Sequence, residues 1–209
     1  MISAKEALDR LREGNSRFVD NSGSSGTTPG KSYGGDSAAD QEPFAIILGC
    51  SDSRVPAEII FDQGLGDLVV IRVAGNIVAP SQVGSVEFAA EQFGTRLVVV
   101  LGHTRCGAIQ ATLEELGRPS HVQSPNLGSI VDRIKPSVEA LMATELRHDP
   151  ETLAQMAIRA NIRASAAHLR SGSQIIEQLI RNDGLHVVGA EYSLETGVVD
   201  FFDGKLVTD

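Results

Sequence analysis

The stretch FAIILGCSDSR, residues 44–54, runs five apolar residues into a glycine and then sets a cysteine, an aspartate and an arginine close together. A short apolar run without polar alternation reads as a strand covered on both faces, as in a parallel sheet. Three further runs share its character: LVVIRV (68–73), LVVVLG (97–102) and LHVVGAEY (185–192). Helical patterns separate most of them. Ser81 is placed to cap a helix in which Val83, Val86, Ala90 and Phe93 recur at helical spacing before Gly94. Ile109, Leu113 and Leu116 mark another, which stops at Gly117. Further helices occupy 127–181. One of them opens at Asp149-Pro150, an N-cap followed by proline at the first helical position, with Leu153, Met156, Ala160 and Ala164 turned inward. The final segment, GAEYSLETGVVDFFDG (189–204), reads as a hairpin turning near Glu195 to Gly197. The expected fold class is therefore α/β, a mostly parallel central sheet flanked by helices, with one antiparallel strand at its edge.

Toward the N-terminus, Ser3 and Glu6 form a capping box, and Ala7, Leu8, Leu11 and Phe18 share one face of a helix over about residues 3–19. Residues 20–43 are rich in Gly and Ser and carry too little apolar area to offset their ordering entropy, so they read as an arm. Such an arm would let the first helix pack on a partner subunit. We expect one domain over 1–209, with 1–43 as helix and arm and 44–209 as the α/β core; 209 residues suit a single large core.

Hydrophobic residues make up 42% and charged residues 22% of the chain, and no window approaches the ~18 unbroken apolar residues of a membrane span. No membrane partner is expected. The first residues lack the basic start and apolar stretch of a secretory leader, which points to the cytoplasm. A net charge of -9 opposes binding to a phosphate backbone, so no nucleic-acid partner is expected either. The two cysteines, Cys50 and Cys106, are too few for a disulfide scaffold and call for another explanation.

In a doubly wound sheet, ligands gather at the carboxyl ends of strands. Two strand ends here carry unusual chemistry: Cys50-Ser51-Asp52-Ser53-Arg54, and His103-Thr104-Arg105-Cys106 directly after VVVLG. If the two strands are neighbours, Cys50, Asp52, His103 and Cys106 converge. Two thiolates, an imidazole and a carboxylate form a credible Zn²⁺ set, because the ion prefers tetrahedral N/S ligation and accepts a carboxylate oxygen. A catalytic zinc needs its fourth position open to water. Asp52 is then either the fourth ligand, closing the site, or the partner of Arg54, leaving that position free. Each cluster alone is weak, since a lone buried cysteine is commonly a small core residue.

Taken together, CSDSR and HTRCG, with IRVAGN between them, resemble the signatures Cys-x-Asp-x-Arg and His-x-x-Cys of the β-class carbonic anhydrases. The resemblance covers about residues 44–203 and the N-terminal helix. It implies a sheet of order 2-1-3-4-5, helices that embrace a second subunit, and a homodimer or homotetramer. It implies Zn²⁺ held by Cys50, His103 and Cys106, with Asp52 and Arg54 as a switchable catalytic dyad. The implied reaction is reversible hydration of CO₂ to bicarbonate and a proton by zinc-bound hydroxide that the dyad orients. Because two thiolates donate charge to the metal, activity is expected to rise toward alkaline pH. An apolar substrate pocket is expected beside the charged centre, and Gln63, Val73, Phe88 and Phe93 are candidates to line it near a subunit seam. Some members of the class hold an inhibitory bicarbonate among a tryptophan, an arginine and a tyrosine. Here Ile47 stands where that tryptophan would be, with Arg72 and Tyr192 at the matching places.

Two other functions compete on the residues alone. A cysteine nucleophile with His103 as base would leave Cys106 without a role, and a purely structural zinc would close all four positions with Cys or His. Within the resemblance, CS₂ or COS could replace CO₂. His121, His148, His168 and His186 lack a second ligand at metal spacing and read as surface or core histidines. Asn76, in AGN, reads as the residue of a left-handed turn. GLGDLVVIRVAGN does not match a dinucleotide fingerprint.

Overall fold

Five strands form one sheet in the order β2-β1-β3-β4-β5. The computed structural model describes residues 2–21, 41–117 and 124–204. In chain order the elements are α1 (Ala4–Val19), β1 (Ala45–Gly49), α2 (Ala57–Ile60), β2 (Leu68–Arg72), α3 (Pro80–Gln92), β3 (Leu97–His103) and α4 (Gly107–Gly117). They continue with α5 (Pro125–Met142), α6 (Pro150–Ser171), α7 (Gln174–Asn182), β4 (His186–Tyr192) and β5 (Val199–Asp203). β1 pairs in parallel with both β2 and β3, β3 pairs in parallel with β4, and β5 closes the edge antiparallel to β4. The order is the one the resemblance implies. The 20–43 arm falls largely on residues outside those described, as does His121.

The apolar runs become strands because both faces of the sheet are covered. Ile46, Leu48, Val98 and Val100 belong to a core cluster built with α3, α4, α5 and α6, whereas Ile47, Val99 and Leu101 belong to a second cluster with α1 and α2. Alternate side chains on one strand thus enter different cores, and neither face tolerates polar residues. Edge strand β2 departs from this pattern, because its residues are only half-buried within the chain.

The α1 capping box forms as expected, with the Ser3 hydroxyl accepting from the Glu6 N–H and the Glu6 carboxylate accepting from the Ser3 N–H. The apolar stripe Ala4, Ala7, Leu8 and Leu11 is buried against this chain's own second core, so packing on a partner subunit would use the helix's outer surface. Two details differ from the sequence expectation. α3 starts two residues earlier than a Ser81 cap would give, with Pro80 in its first turn and no side-chain cap at Ala79. α6 opens on its Asp149 cap as expected, but its inward face is Leu153, Ala157, Ile158, Ile162, Ala166 and Leu169. Met156 is 41% exposed and Ala164 faces solvent. Small residues lie all around α6, so its periodicity leaves the phase open, and packing against β3 and β4 sets it.

Candidate metal centre

Because β1 and β3 are hydrogen-bonded neighbours, with Gly49 opposite Leu101, the residues just beyond them meet at the carboxyl edge of the sheet. Here the chain leaves β1 toward β2 on one side and β3 toward β4 on the other, which opens the crevice where such sheets hold ligands. The ligating atoms of Cys50, His103 and Cys106 all lie within 4.8 Å of one another, and all three residues are buried. Among the described residues, no other group of three or more His, Cys, Asp or Glu converges in this way.

The three side chains arrive from different elements. Cys50 follows β1 and its Sγ accepts from the Gly75 N–H at 3.4 Å. Gly75 sits in the short 3₁₀ turn Ala74–Asn76 after β2, with φ 68, and a Cβ there would meet Ile134 Cδ1 at 2.8 Å. Only glycine fits that approach. The turn is held from α6, where Asn161 Nδ2 donates to Gly75 O at 2.8 Å and Ser165 Oγ donates to Asn76 O at 3.0 Å. Asn76 itself takes φ 43, consistent with the left-handed turn expected of it. His103 ends β3, and its Nδ1 lies 2.8 Å from Thr104 O. With that nitrogen donating to the carbonyl, Nε2 carries the free lone pair; it is buried and has no hydrogen-bond partner. A fully buried imidazole with one nitrogen fixed and the other orphaned, facing two sulfurs, fits a metal ligand whose ring is oriented from behind.

The electrostatics of the metal-free cluster point the same way. The Cys106 thiol donating to Cys50, helped by His103, pulls the Cys50 thiol down to about 4 despite its burial. Cys106 moves up, because it supplies that hydrogen bond and is itself buried. Burial opposes protonation of His103, but the neighbouring Cys50 sulfur outweighs it and the net shift is upward. A thiolate is therefore already favoured where a cation would sit.

Asp52 lies beside this set and faces Arg54. The Arg54 Nε and Nη2 donate to Oδ1 and Oδ2 at 3.0 and 2.7 Å, and the Arg54 backbone N–H donates to Oδ1 at 2.9 Å. The guanidinium holds the Asp52 carboxyl well below the usual carboxylate range. Asp52 Oδ2 stands 3.9 Å from His103 Nε2.

Arg72 plays a part that its sequence position did not suggest. It ends β2 opposite Gly49, and its guanidinium donates to Cys50 O at 3.0 Å and to Asp52 O at 2.5 Å, so it binds the loop carrying both the first thiol and the dyad acid. Tyr192 is buried, and its carbonyl accepts from the Thr104 N–H. Asn161 and Ser165 lie in no local motif, since their roles depend on carbonyls remote in sequence. Of the four pocket candidates, Gln63 is buried and engaged, with Nε2 donating to Phe61 O at 2.6 Å and Oε1 accepting from Arg10 at 3.1 Å. Val73 is half-buried and follows β2. Phe88 is 61% exposed and meets the edge of Phe93 at a ring separation of 5.8 Å. A separate cavity of about 700 Å³ lies against the Cys106 turn, between Gln110, Gln155, Ile158 and Glu191.

A family profile described as carbonic anhydrase matches residues 45–199. The chain is 38% identical over 206 residues to a carbonic anhydrase of Mycolicibacterium smegmatis, covering 93% of this chain and 91% of that protein. It is 37% identical over 195 residues to carbonic anhydrase 2 of Mycobacterium tuberculosis, covering 91% and 89%. Among solved structures, a tetrameric β-carbonic anhydrase from Sordaria macrospora superposes with a TM-score of 0.71 at 25% identity, covering 79% of this chain and 83% of that one.

Proposed function

Because this chain belongs to the β-class carbonic anhydrases and is a carbonate dehydratase, we propose that it interconverts CO₂ and bicarbonate with Zn²⁺ held by Cys50, His103 and Cys106. The observation that supports the metal reading most is the buried, partnerless Nε2 of His103 beside two sulfurs. Two sulfurs and an imidazole nitrogen are the donor chemistry zinc prefers, and three protein ligands are the number a catalytic site uses. When bound, zinc would supply a Lewis acid that acidifies a water held on it, less strongly than with three neutral ligands because two thiolates donate charge to the metal.

The remaining work belongs to the chain itself. Asp52, fixed by Arg54, offers a carboxylate acceptor beside the donor set. There Asp52 would accept a hydrogen bond from the water that attacks CO₂ and so would orient it, while Arg54 would hold the carboxylate away from Cys50, His103 and Cys106. Were that pair released, Asp52 would be the residue placed to join the donor set and close the site. Arg72 holds the loop on which this choice is made. Gln63, Val73, Phe88 and Phe93 are proposed to complete an apolar approach for CO₂ at a subunit seam. The exposed Phe88 and the half-buried edge strand β2 support assembly of a homodimer or homotetramer. Among the described residues no helix is long and apolar enough to cross a membrane. We read the chain as a single functional domain working in the cytoplasm.

Stopped-flow CO₂ hydration on the wild type and on Asp52→Asn, with zinc measured in both, tests this reading. Each protein is expected to hold zinc, and the variant to lose about a hundredfold in turnover, the low end for a positioned proton-handling group. Full activity in zinc-loaded Asp52→Asn would remove the dyad from the mechanism. A wild type purified without stoichiometric zinc would remove the metal.

A further inference from the structure

Two residues, Thr104 and Arg105, separate the ligands His103 and Cys106, and the turn they make decides whether those ligands face one another. Arg105 has φ 55, the left-handed region that a residue with a side chain avoids unless its surroundings impose it. Both intervening side chains converge on one carboxylate, that of Glu195 in the β4–β5 turn. Thr104 Oγ1 donates to Glu195 Oε2 at 2.8 Å, and Arg105 Nε pairs with Glu195 Oε1 at 2.7 Å. Thr104 Oγ1 also accepts from the Leu194 N–H at 3.0 Å, which ties the same turn to the same loop a third time.

Glu195 is itself braced. Ser193 Oγ donates to Glu195 Oε2 at 3.3 Å and accepts from the Thr196 N–H at 3.1 Å. The turn is pinned to α1 by the buried Asn15, whose Nδ2 donates to Gly197 O and whose Oδ1 accepts from the Val199 N–H, both at 2.9 Å. A continuous path therefore runs from α1 through the β4–β5 turn to the loop between two ligands.

We propose that Glu195 is a positioning residue, a latch whose carboxylate holds Thr104 and Arg105 so that the left-handed turn keeps His103 and Cys106 set for the metal. This rests on the reading of those two residues as zinc ligands. Arg105 and Glu195 have side chains 74% and 42% exposed, and an exposed ion pair contributes little to global stability. The latch therefore acts on metal retention and leaves the stability of the fold nearly unchanged. Partners that orient metal ligands from outside typically change affinity by 10- to 100-fold.

The test uses the zinc-loaded full chain as wild type, Glu195→Ala and Glu195→Gln, and measures three quantities: zinc release to a chelator, the visible spectrum of the Co²⁺-substituted protein, and urea unfolding after metal removal. Glu195→Ala is expected to release zinc about tenfold faster and to shift the Co²⁺ bands, with an unchanged metal-free midpoint. Glu195→Gln keeps an acceptor for the Thr104 hydroxyl and is expected to fall between wild type and Glu195→Ala. Release from Glu195→Ala within twofold of wild type overturns the proposal while the zinc reading stands. A loss of metal-free stability that accounts for the faster release also overturns it, because the role would then be structural. A wild type that binds no zinc overturns both.

Discussion

His103 shows how much one side chain can carry. Its Nδ1 is committed to the Thr104 carbonyl, and that single bond fixes which nitrogen is left to face Cys50 and Cys106. Replacing Cys106 by serine removes a soft donor from the set, and we expect zinc content to collapse and CO₂ hydration to fall more than roughly a hundredfold, beyond the loss from altering outer partners, as metal analysis and stopped-flow assay would record. The metal-free protein gives a pH signature of the same cluster. With the Cys50 thiol pulled to about 4, against an ordinary ~8.5, reduced metal-free protein should show one ultraviolet thiolate absorbance at neutral pH that vanishes on unfolding. The sign follows from the lowered folded value: the stabilisation is complete above ~8.5, shrinks as pH falls, and is gone below about 4. Cys106, held protonated, works against stability above that range. A pH titration without any thiolate before ~8 would contradict this electrostatic picture.

At the scale of elements, close approaches decide more than propensity. Gly14 of α1 lies where a Cβ would come within 1.8 Å of Phe61 O, a backbone atom that cannot rotate away. Gly14→Ala is therefore expected to lift α1 from the segment after α2 and to destabilise the chain by about 3 kcal/mol in urea unfolding, the upper end for overpacking. The α1 capping box is a gentler case. Ser3→Ala is expected to lower stability by about 1 kcal/mol at neutral pH. The Glu6 carboxyl is held below its usual value by the Ser3 backbone and hydroxyl, so its part of the cap is present above that value and lost as pH falls through the lowered one. Unfolding of wild type and Glu6→Gln should accordingly converge in acid. α6 shows the opposite relation between sequence and structure: its helical period is plain, yet the buried face lies a step away from Met156 and Ala160, because alanines on several sides let packing choose.

In the proposed function the whole molecule would couple these parts to zinc and to neighbouring subunits. If zinc binds only the folded chain, a hundredfold excess over its dissociation constant adds about 2.7 kcal/mol, which for a chain of this length raises the melting temperature by about 8 °C. Chelation should reverse the shift, and a melting temperature indifferent to zinc would count against a native site. For assembly, Phe88→Asp places a charge on an exposed ring that packs edge-on against the half-buried Phe93 at the end of α3. It is expected to reduce the sedimentation coefficient toward that of a monomer while leaving circular dichroism unchanged. The four apolar runs and the chemistry at two of their ends were legible in the sequence alone, because apolar continuity and the Cys-x-Asp-x-Arg and His-x-x-Cys spacings are local. The fold alone brings the side chains of Arg72, Asn161 and Glu195 to the loops of the site. Those roles are hydrogen bonds to groups distant along the chain, and a residue's composition and neighbours carry no record of which remote carbonyl or hydroxyl the fold will set in front of it.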